Sequence, residues 1–275
     1  MGLRIQTNMA AISAQKVMDK QMRRAEHASQ ALASGNRIIK AGDDAAGLAI
    51  SENIRSQTRG MAMARNNAFN AISAVQVSEG GLNEISNIMI RLRELGIQAG
   101  SDNIGDRERG YLELEAQNII AEADRIAKTT VFGNKRLLDG SGEEMEFQVG
   151  LNGGPENQIK YSLSTDARAS ELGIEGLSVA TKEDARDMLD QVDEALSKVG
   201  DMRASFGAIQ NRLESTVSNI DIQYENLSAA KSRIADTDVA KESSEFASAN
   251  ILQNAAVSVL AQANQLPAVA LKLLG

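Results

Sequence analysis

The segment from residue 188 to residue 213, MLDQVDEALSKVGDMRASFGAIQNRL, decides the fold class of this 275-residue chain. Its apolar residues follow one another at alternating intervals of four and three. They are Met188, Val192, Ala195, Val199, Met202, Phe206, Ile209 and Leu213. This heptad spacing is typical of a coiled coil, so the segment is predicted to be a long helix that packs against another helix. We expect it to span residues 182–233, with a stutter in the repeat at Val217 before Ile220, Tyr224 and Leu227 restore it.

An earlier segment carries the same pattern and predicts a second long helix over residues 44–99. Its apolar positions are Ala68, Ile72, Val75, Leu82, Ile85, Met89 and Leu92. Gly80 and Gly81 lie inside this helix, where each costs about 1 kcal/mol relative to alanine. Either a helix of this length tolerates that cost, or a neighbouring helix approaches closely there. A shorter helix is predicted over residues 106–129. Together the three helices predict an elongated, coiled-coil-like bundle.

The periodicity changes between residues 131 and 180. The segments EMEFQVG (144–150) and NQIKYSL (157–163) alternate apolar and polar residues, and the turn-rich LNGGPE (151–156) separates them. This pattern predicts a β-hairpin at about 143–165 that caps one end of the bundle. No other region is predicted to form a strand, so the fold class is mostly α.

Both ends of the chain are amphipathic and lie outside the predicted bundle. We expect a terminal domain formed by residues 1–43 and 236–275, beside a bundle domain of residues 44–235. Each terminal helix has an apolar stripe too narrow to keep an isolated helix folded in water. We therefore predict that self-assembly covers these stripes. The candidate assembly residues are Met18, Met22, Leu32, Leu252, Val259, Leu260 and Leu266.

Composition and charge argue against several function classes. The chain has a net charge of -8 with no cluster of basic residues along the sequence, which disfavours binding to nucleic acid. It has no cysteine, so disulfides and thiolate metal sites are excluded. The N-terminal segment lacks the continuous apolar stretch of a cleavable signal peptide. A secreted form would thus leave the cell without such a signal.

The adjacent carboxylates Asp43 and Asp44 are the most conspicuous candidates for chemistry. A metal site would need further oxygen ligands, which the alanines that follow cannot supply. We interpret the pair as the start of the helix that begins at Ala45, where a carboxylate accepts hydrogen bonds from free backbone N–H groups. The only histidine, His27, has no partner for metal binding or catalysis and is expected at the surface. We predict no catalytic, metal or cofactor site and no enzymatic activity.

Four segments of the sequence resemble bacterial flagellin. They are LASGNRIIKAGDDAAGLAIS (32–51), LNEISNIMIRLRELGIQA (82–99), VFGNKRLLDG (131–140) and SRIADTDVAKESSEFASANILQNAAVSVLAQANQLP (232–267). The resemblance covers roughly residues 1–140 and 181–275. It implies a structural subunit whose paired terminal helices form an inner domain and whose bundle forms the next layer of a tubular filament for swimming motility. The short insert after the hairpin implies that variable outer domains are missing.

The resemblance also implies partners and a location. The main partner is the chain itself, in a helical homopolymer. The others are the flagellar export apparatus with an export chaperone, the filament cap and the hook-junction proteins. The protein would be secreted into the extracellular filament, with a sheathed or periplasmic filament as the alternatives. Cofactors are not implied.

Some flagellins are recognised by a Toll-like innate receptor on one face of the bundle. The positions similar to that contact are Arg91, Leu95 and Glu122, and Glu94 lies beside them. Ile90 departs from the pattern, since receptor-activating relatives commonly have a polar residue there. We favour lateral packing between subunits as the role of these residues over receptor binding.

Two other interpretations remain open on the sequence. A hook-filament junction protein is similar at both termini, although the segments at 82–99 and 131–140 favour flagellin. A cytoplasmic coiled-coil adaptor is the alternative from another class. It would need no export and would form a closed oligomer instead of an open filament.

Overall fold

The computed structural model describes residues 7–162 and 165–272, with only the backbone described at residue 162 and at residues 266–272. The chain forms two compact units. The terminal unit comprises residues 1–56 and 226–275, and the bundle unit comprises residues 57–225. The predicted domain boundaries at residues 43 and 236 stay a prediction.

Long helices dominate the described residues, as the sequence predicts. The helices are α1 (Met9–Ser34), α2 (Ala45–Ala99), α3 (Asp106–Thr129), α4 (Ala169–Leu172), α5 (Lys182–Ala235) and α6 (Val239–Lys272). The three helices predicted for the bundle agree with α2, α3 and α5 to within two residues. The mostly α fold class is confirmed.

Helices α2 and α5 run antiparallel in the bundle unit. Ion pairs join Arg65 to Asp221 at 3.0 Å and Arg93 to Asp193 at 2.7 Å, so residue numbers rise along one helix as they fall along the other. The predicted heptad positions form the core between these helices. Fully or almost fully buried among them are Ala68, Val75, Leu82, Ile85, Met89, Leu92, Met188, Val192, Ala195, Val199, Phe206 and Leu213.

The heptad pattern fails at one position near the end of the bundle unit. Val217 and Ile220 are buried, but the side chain of Tyr224 is 45% exposed, so its predicted place in the apolar seam is wrong. The phenol ring carries a polar hydroxyl, which favours contact with water unless a partner is available.

Gly81 packs closely against another segment, but that segment is not the neighbouring helix expected in one of the two interpretations of this glycine pair. A Cβ atom at residue 81 would lie 2.8 Å from Leu138 and 2.9 Å from Thr130. These residues belong to the segment that follows α3 and not to a helix. Gly80 has open space around it.

Two antiparallel hairpins follow α3. The predicted one pairs β3 (Glu144–Gln148) with β4 (Gln158–Ser162), and a turn of 3₁₀ helix at Pro155–Asn157 lies in the connection. The other pairs β1 (Val131–Phe132) with β2 (Lys135–Arg136) and was not predicted. Strands of two residues are too short to show an alternating pattern. The end of the predicted β3–β4 hairpin, at residues 163–164, lies outside the described residues.

A buried tyrosine fastens the β3–β4 hairpin to the bundle. Tyr161 is 1% exposed, and its hydroxyl lies 3.0 Å from Ser78 Oγ. Ser78 Oγ in turn donates to the carbonyl of Ala74, so the phenol acts as the donor to Ser78. The ring also packs against Phe206, with 5.5 Å between ring centroids. Hairpin, α2 and α5 are therefore joined at one point.

The buried phenol of Tyr161 should make the protein less stable at alkaline pH. Burial raises the pKa of the Tyr161 phenol from 10.0 to about 12, although the Ser78 hydrogen bond opposes the shift. The folded protein therefore holds this proton more tightly than the unfolded chain does. Its contribution to stability is complete below pH 10 and is lost as the pH rises from 10 to 12.

We expect Tyr161→Phe to lower the free energy of unfolding at pH 7 by about 1 kcal/mol, because a buried hydrogen bond is lost. The variant should then lose less stability than wild type between pH 10 and pH 12. Urea denaturation at a series of pH values measures both effects. Tyr111→Phe is the matched control, because that ring is 60% exposed. An alkaline profile in Tyr161→Phe identical to wild type would contradict the assignment.

Candidate functional site

The terminal unit is built on two helices with defined ends. The side chain of Asn8 caps α1 by accepting a hydrogen bond from the N–H of Ala11, and Gly35 ends α1 in a left-handed conformation at φ 71°. Asp238 caps α6 by accepting from the N–H groups of Ala240 and Lys241. Only glycine adopts the conformation at residue 35 without strain.

Helices α1 and α6 form an antiparallel pair. The side-chain amide of Asn8 donates to the carbonyl of Ala263 at 2.7 Å, near one end of the pair. Near the other end, Asn36 and Asp236 form an antiparallel backbone bridge. The first residues of α1 therefore lie beside the later part of α6.

The residues buried between these helices are almost all alanine. Along α6 they repeat at an interval of seven residues, which is the heptad pattern of a coiled coil. The buried residues of this alanine seam are Ala14, Gln21, Ala25, Ala28 and Ala31 on α1 and Ala249, Ala256 and Ala263 on α6. Side chains this small leave no space for larger ones between the helices.

Most of the large apolar side chains described on α1 and α6 instead face away from the seam. Ten of them are between 36% and 68% exposed, and we call this set the outward apolar residues. They are Met9, Ile12, Val17 and Met22 on α1 and Val239, Phe246, Ile251, Leu252, Val257 and Val259 on α6. Such a concentration of exposed apolar surface is typical of an interaction site.

The predicted assembly residues divide between the two environments. Half-buried against the seam are Met18, Leu32 and Leu260, whereas the exposed ones are Met22 at 54%, Leu252 at 48% and Val259 at 53%. The side chain of Leu266 lies outside the described residues. The role of all seven in assembly stays a prediction.

The sequence prediction missed several of the most exposed apolar residues. Ile12, Val17, Ile251 and Val257 are between 46% and 68% exposed, yet none was selected. The predicted residues were those that share a heptad register on α1 or crowd one side of α6. The sequence did contain a signal for the exposed residues. Alanine repeats every seven residues along α6, which indicates that small residues, and not large ones, face α1.

The connector between α1 and α2 joins the two chain segments of the terminal unit. Arg37 donates its backbone N–H to the carbonyl of Ala235 at 2.7 Å and its guanidinium to the carbonyl of Ile234 at 2.6 Å. These contacts satisfy carbonyls at the end of α5 that have no helical partner.

The two carboxylates in the connector have separate structural roles. Asp44 caps α2 by accepting from the N–H of Gly47 at 2.8 Å, as predicted for one of the pair. Asp43 instead accepts from the N–H groups of Lys40 and Ile39, and the Lys40 hydrogen bond lowers the pKa of the Asp43 carboxyl. His27 Nε2 lies 3.4 Å from Asp43 Oδ2.

The predicted lateral-contact residues lie in the bundle unit with different exposure. Arg91 bridges Glu94 at 2.8 Å and Glu115 at 2.6 Å, and these hydrogen bonds, led by that of Glu115, raise the pKa of the guanidinium. Glu122 is exposed and paired with Arg125. Leu95 is fully buried in the core, so it offers no surface to a partner.

The described residues contain no group of three or more His, Cys, Asp or Glu side chains that could hold a metal ion. In the same part of the chain, no helix is both long and apolar enough to span a bilayer. The exposed apolar surface of α1 and α6 is the candidate functional site.

Comparison with known proteins gives consistent matches along the chain. The bacterial flagellin N-terminal helical region matches residues 5–143, and the bacterial flagellin C-terminal helical region matches residues 189–274. The flagellin of Halalkalibacterium halodurans is 40% identical over 270 residues, which are 98% of this chain and 99% of that protein. The flagellar filament 31.3 kDa core protein of Treponema maltophilum is 39% identical over an alignment of 273 residues, and the match covers 94% of this chain and 96% of that protein.

A solved structure shows the same relationship. The crystal structure of Bacillus cereus flagellin has a TM-score of 0.51 and 26% sequence identity, and the match covers 60% of this chain and 94% of that one.

The alanine seam predicts a sharp difference between two adjacent residues of α6. Ala256→Leu should force α1 and α6 apart and cost about 1 to 3 kcal/mol, because a larger side chain cannot fit between them. Ala255→Leu adds the same side chain at an exposed position and should be nearly neutral, since leucine and alanine have similar helix propensity. Amide hydrogen exchange of α1 and α6 measures the difference. Equal protection in both variants would show that the seam is misplaced.

Proposed function

This chain belongs to the bacterial flagellin family, and we propose that the outward apolar residues of its terminal helices join neighbouring copies into the flagellar filament. The protein is a structural subunit of that filament, and it is not an enzyme. Self-assembly into a homopolymer follows from the family. The residues that form the contacts are our proposal.

The division between alanine inside and large apolar residues outside carries the proposal. Full burial of a Val, Leu, Ile, Phe or Met side chain contributes about 1.5 to 3 kcal/mol. The α1–α6 pair leaves ten such large side chains at least partly in water, so much of this stabilisation is unused in one copy. Packing against neighbouring copies would recover it. A terminal pair designed for independent stability would place these residues between its own helices.

Two alternatives predict different assemblies. A hook-filament junction protein would add to the end of another polymer, and a non-exported coiled-coil adaptor would form a closed oligomer. Full-length matches to flagellins at about 40% identity favour the filament subunit over both. Electron microscopy after salt-induced assembly of the purified protein should show long tubular filaments. Closed rings or small oligomers alone would contradict the proposal.

The exposed residues of the bundle unit supply a second proposed contact. Arg91, Glu94 and Glu122 are available for lateral packing between subunits, and the exposed Ile90 adds apolar surface beside Arg91. Leu95 has no part in this contact because it is buried. Binding of the same face by a Toll-like innate receptor is a further proposal, and it rests on Arg91 and Glu122.

Family membership supports further proposals about export and location. The subunit would be secreted by the flagellar export apparatus with the help of an export chaperone, and it would assemble between the hook-junction proteins and the filament cap. The finished filament would lie outside the cytoplasm, either extracellular or, as in flagellated bacteria with internal filaments, in the periplasm.

The proposal predicts that charged substitutions on the outward face block assembly without unfolding the monomer. Ile251→Asp combined with Val259→Asp should abolish filaments, because burying two unpaired carboxylates at a subunit contact is strongly unfavourable. The bundle unit should unfold at the wild-type temperature. Sedimentation and electron microscopy measure assembly, and circular dichroism measures unfolding.

Asn254→Asp combined with Ser258→Asp is the matched control on the same helix. Both positions are exposed and already polar, and the pair of changes adds the same two negative charges. We expect this control to form filaments with a modest change in yield. Normal filaments from the Ile251 and Val259 variant would show that the outward apolar residues are not the contact.

A further inference from the structure

Charge is divided unequally between the two units of the chain. Residues 1–56 and 226–275 carry 12 Lys and Arg against 9 Asp and Glu, a net charge of +3. Residues 57–225 carry 17 against 28, a net charge of -11. An acidic protein therefore has a basic terminal unit.

The basic residues of α1 collect on one side of the helix. Lys16, Lys20, Arg23 and Arg24 line a surface groove of about 590 Å³ together with Lys241 from α6. We call the four residues on α1 the basic stripe. All four are exposed, and their spacing of four, three and one residues places them on one helical face.

These cations lack ion-pair partners within the chain. Among the described residues, neither the basic stripe nor Lys241 has a carboxylate oxygen within 4.0 Å, although many other Lys and Arg residues do. Glu242 and Glu245 line the same groove without reaching that distance. Five cations and two carboxylates leave the groove with an excess of positive charge.

A matching acidic surface lies on α5 in the bundle unit. Residues 183–197 of α5 contain six Asp and Glu and a single cation, Arg186. Four of the carboxylates share one exposed face, which we call the acidic stripe: Glu183, Asp187, Asp190 and Glu194. In the described chain only Glu194 of these four has an ion pair, with Lys198 at 3.2 Å.

The two stripes have the same periodicity. Lys16, Lys20 and Arg23 are separated by four and three residues, as are Glu183, Asp187 and Asp190. Since each residue advances a helix by about 1.5 Å, the charges repeat at equal intervals along both helices. Two helices packed lengthwise could then pair each cation with a carboxylate.

We propose that the basic stripe of one copy binds the acidic stripe of a second copy during filament assembly. The contact rests on the proposed function, since it needs a polymer in which terminal and bundle units of different copies meet. It adds an electrostatic contact to the apolar one and selects which surfaces face each other. Oppositely charged surfaces favour this arrangement and disfavour like-charged ones.

Charge reversal on each stripe tests the contact. The basic variant is Lys16→Glu, Lys20→Glu and Arg23→Glu, and the acidic variant is Glu183→Lys, Asp187→Lys and Asp190→Lys. Each variant alone should raise the soluble concentration in equilibrium with filaments about tenfold at 0.1 M NaCl, because three attractive pairs become repulsive. The effect should be much smaller near 1 M NaCl, where charges are screened within about 3 Å.

Combining the reversals provides the decisive measurement. An equimolar mixture of the two variants, and one chain that carries all six changes, should both assemble with a soluble concentration within about twofold of wild type. Rescue of this kind requires the two stripes to contact each other in different copies. A basic variant that is impaired but not rescued by the acidic reversal would overturn the proposal, because its partner would then be another surface.

A control with the same charge change separates a local effect from a general one. Arg59→Glu, Arg107→Glu and Arg233→Glu alter exposed cations outside both stripes. An equal loss of assembly in this control would overturn the proposal, as would wild-type assembly of the basic variant.

Circular dichroism confirms folding of each variant. If wild type itself forms no filaments, the proposed function fails; if wild type and the basic variant assemble equally, only the stripe contact fails.

Discussion

The small size of alanine between α1 and α6 is the constraint on which the functional surface depends. Because Ala28 and Ala31 on α1, and Ala249 and Ala256 on α6, occupy the contact, the helices leave no space there for Ile, Val or Met side chains. Those side chains must face solvent or another molecule. A pair of helices with leucine between them would be more stable alone, but it would have less apolar surface to offer a neighbour. In the proposed assembly, alanine at the seam lowers the stability of the single copy and raises the affinity between copies.

Sequence patterns predicted the bundle well because large apolar residues at heptad spacing are buried between its helices. Positions such as Leu82, Met89, Val192 and Phe206 are large, apolar and spaced by heptads, and all of them are buried. The β3–β4 hairpin was visible because five-residue strands are long enough to alternate. The β1–β2 hairpin was not, since its strands have two residues each. Tyr224 shows that a residue in the correct heptad position can still be exposed when its side chain has a polar end.

The candidate site was predicted less well, and for a related reason. An amphipathic pattern identifies which residues share a face, but it does not say whether that face meets the partner helix within the chain or another molecule. Met22 and Val259 are exposed in the single copy, whereas Leu32 and Leu260 are half-buried. The basic stripe was also hidden, because Asp19 and Glu26 lie between or beside its residues in the linear sequence. Only the helix brings Lys16, Lys20 and Arg23 to one side.

The contacts between the two ends of the chain have a consequence for the order of folding. Asn8 and Ala263 are 255 residues apart, and Arg37 and Ile234 are 197 apart. Contacts between residues so far apart in sequence form slowly in an unfolded chain, because the two ends of a long segment must first meet. The antiparallel pairing of α2 and α5, which includes the Arg65–Asp221 ion pair, greatly shortens the segments whose ends must meet. Once the Arg65–Asp221 ion pair has formed, only residues 36–65 on one side and 221–236 on the other lie between it and the Asn36–Asp236 bridge. We infer that α1 and α6 find each other only after the middle of the chain has folded, so that the surface for neighbours is the last part of the molecule to form.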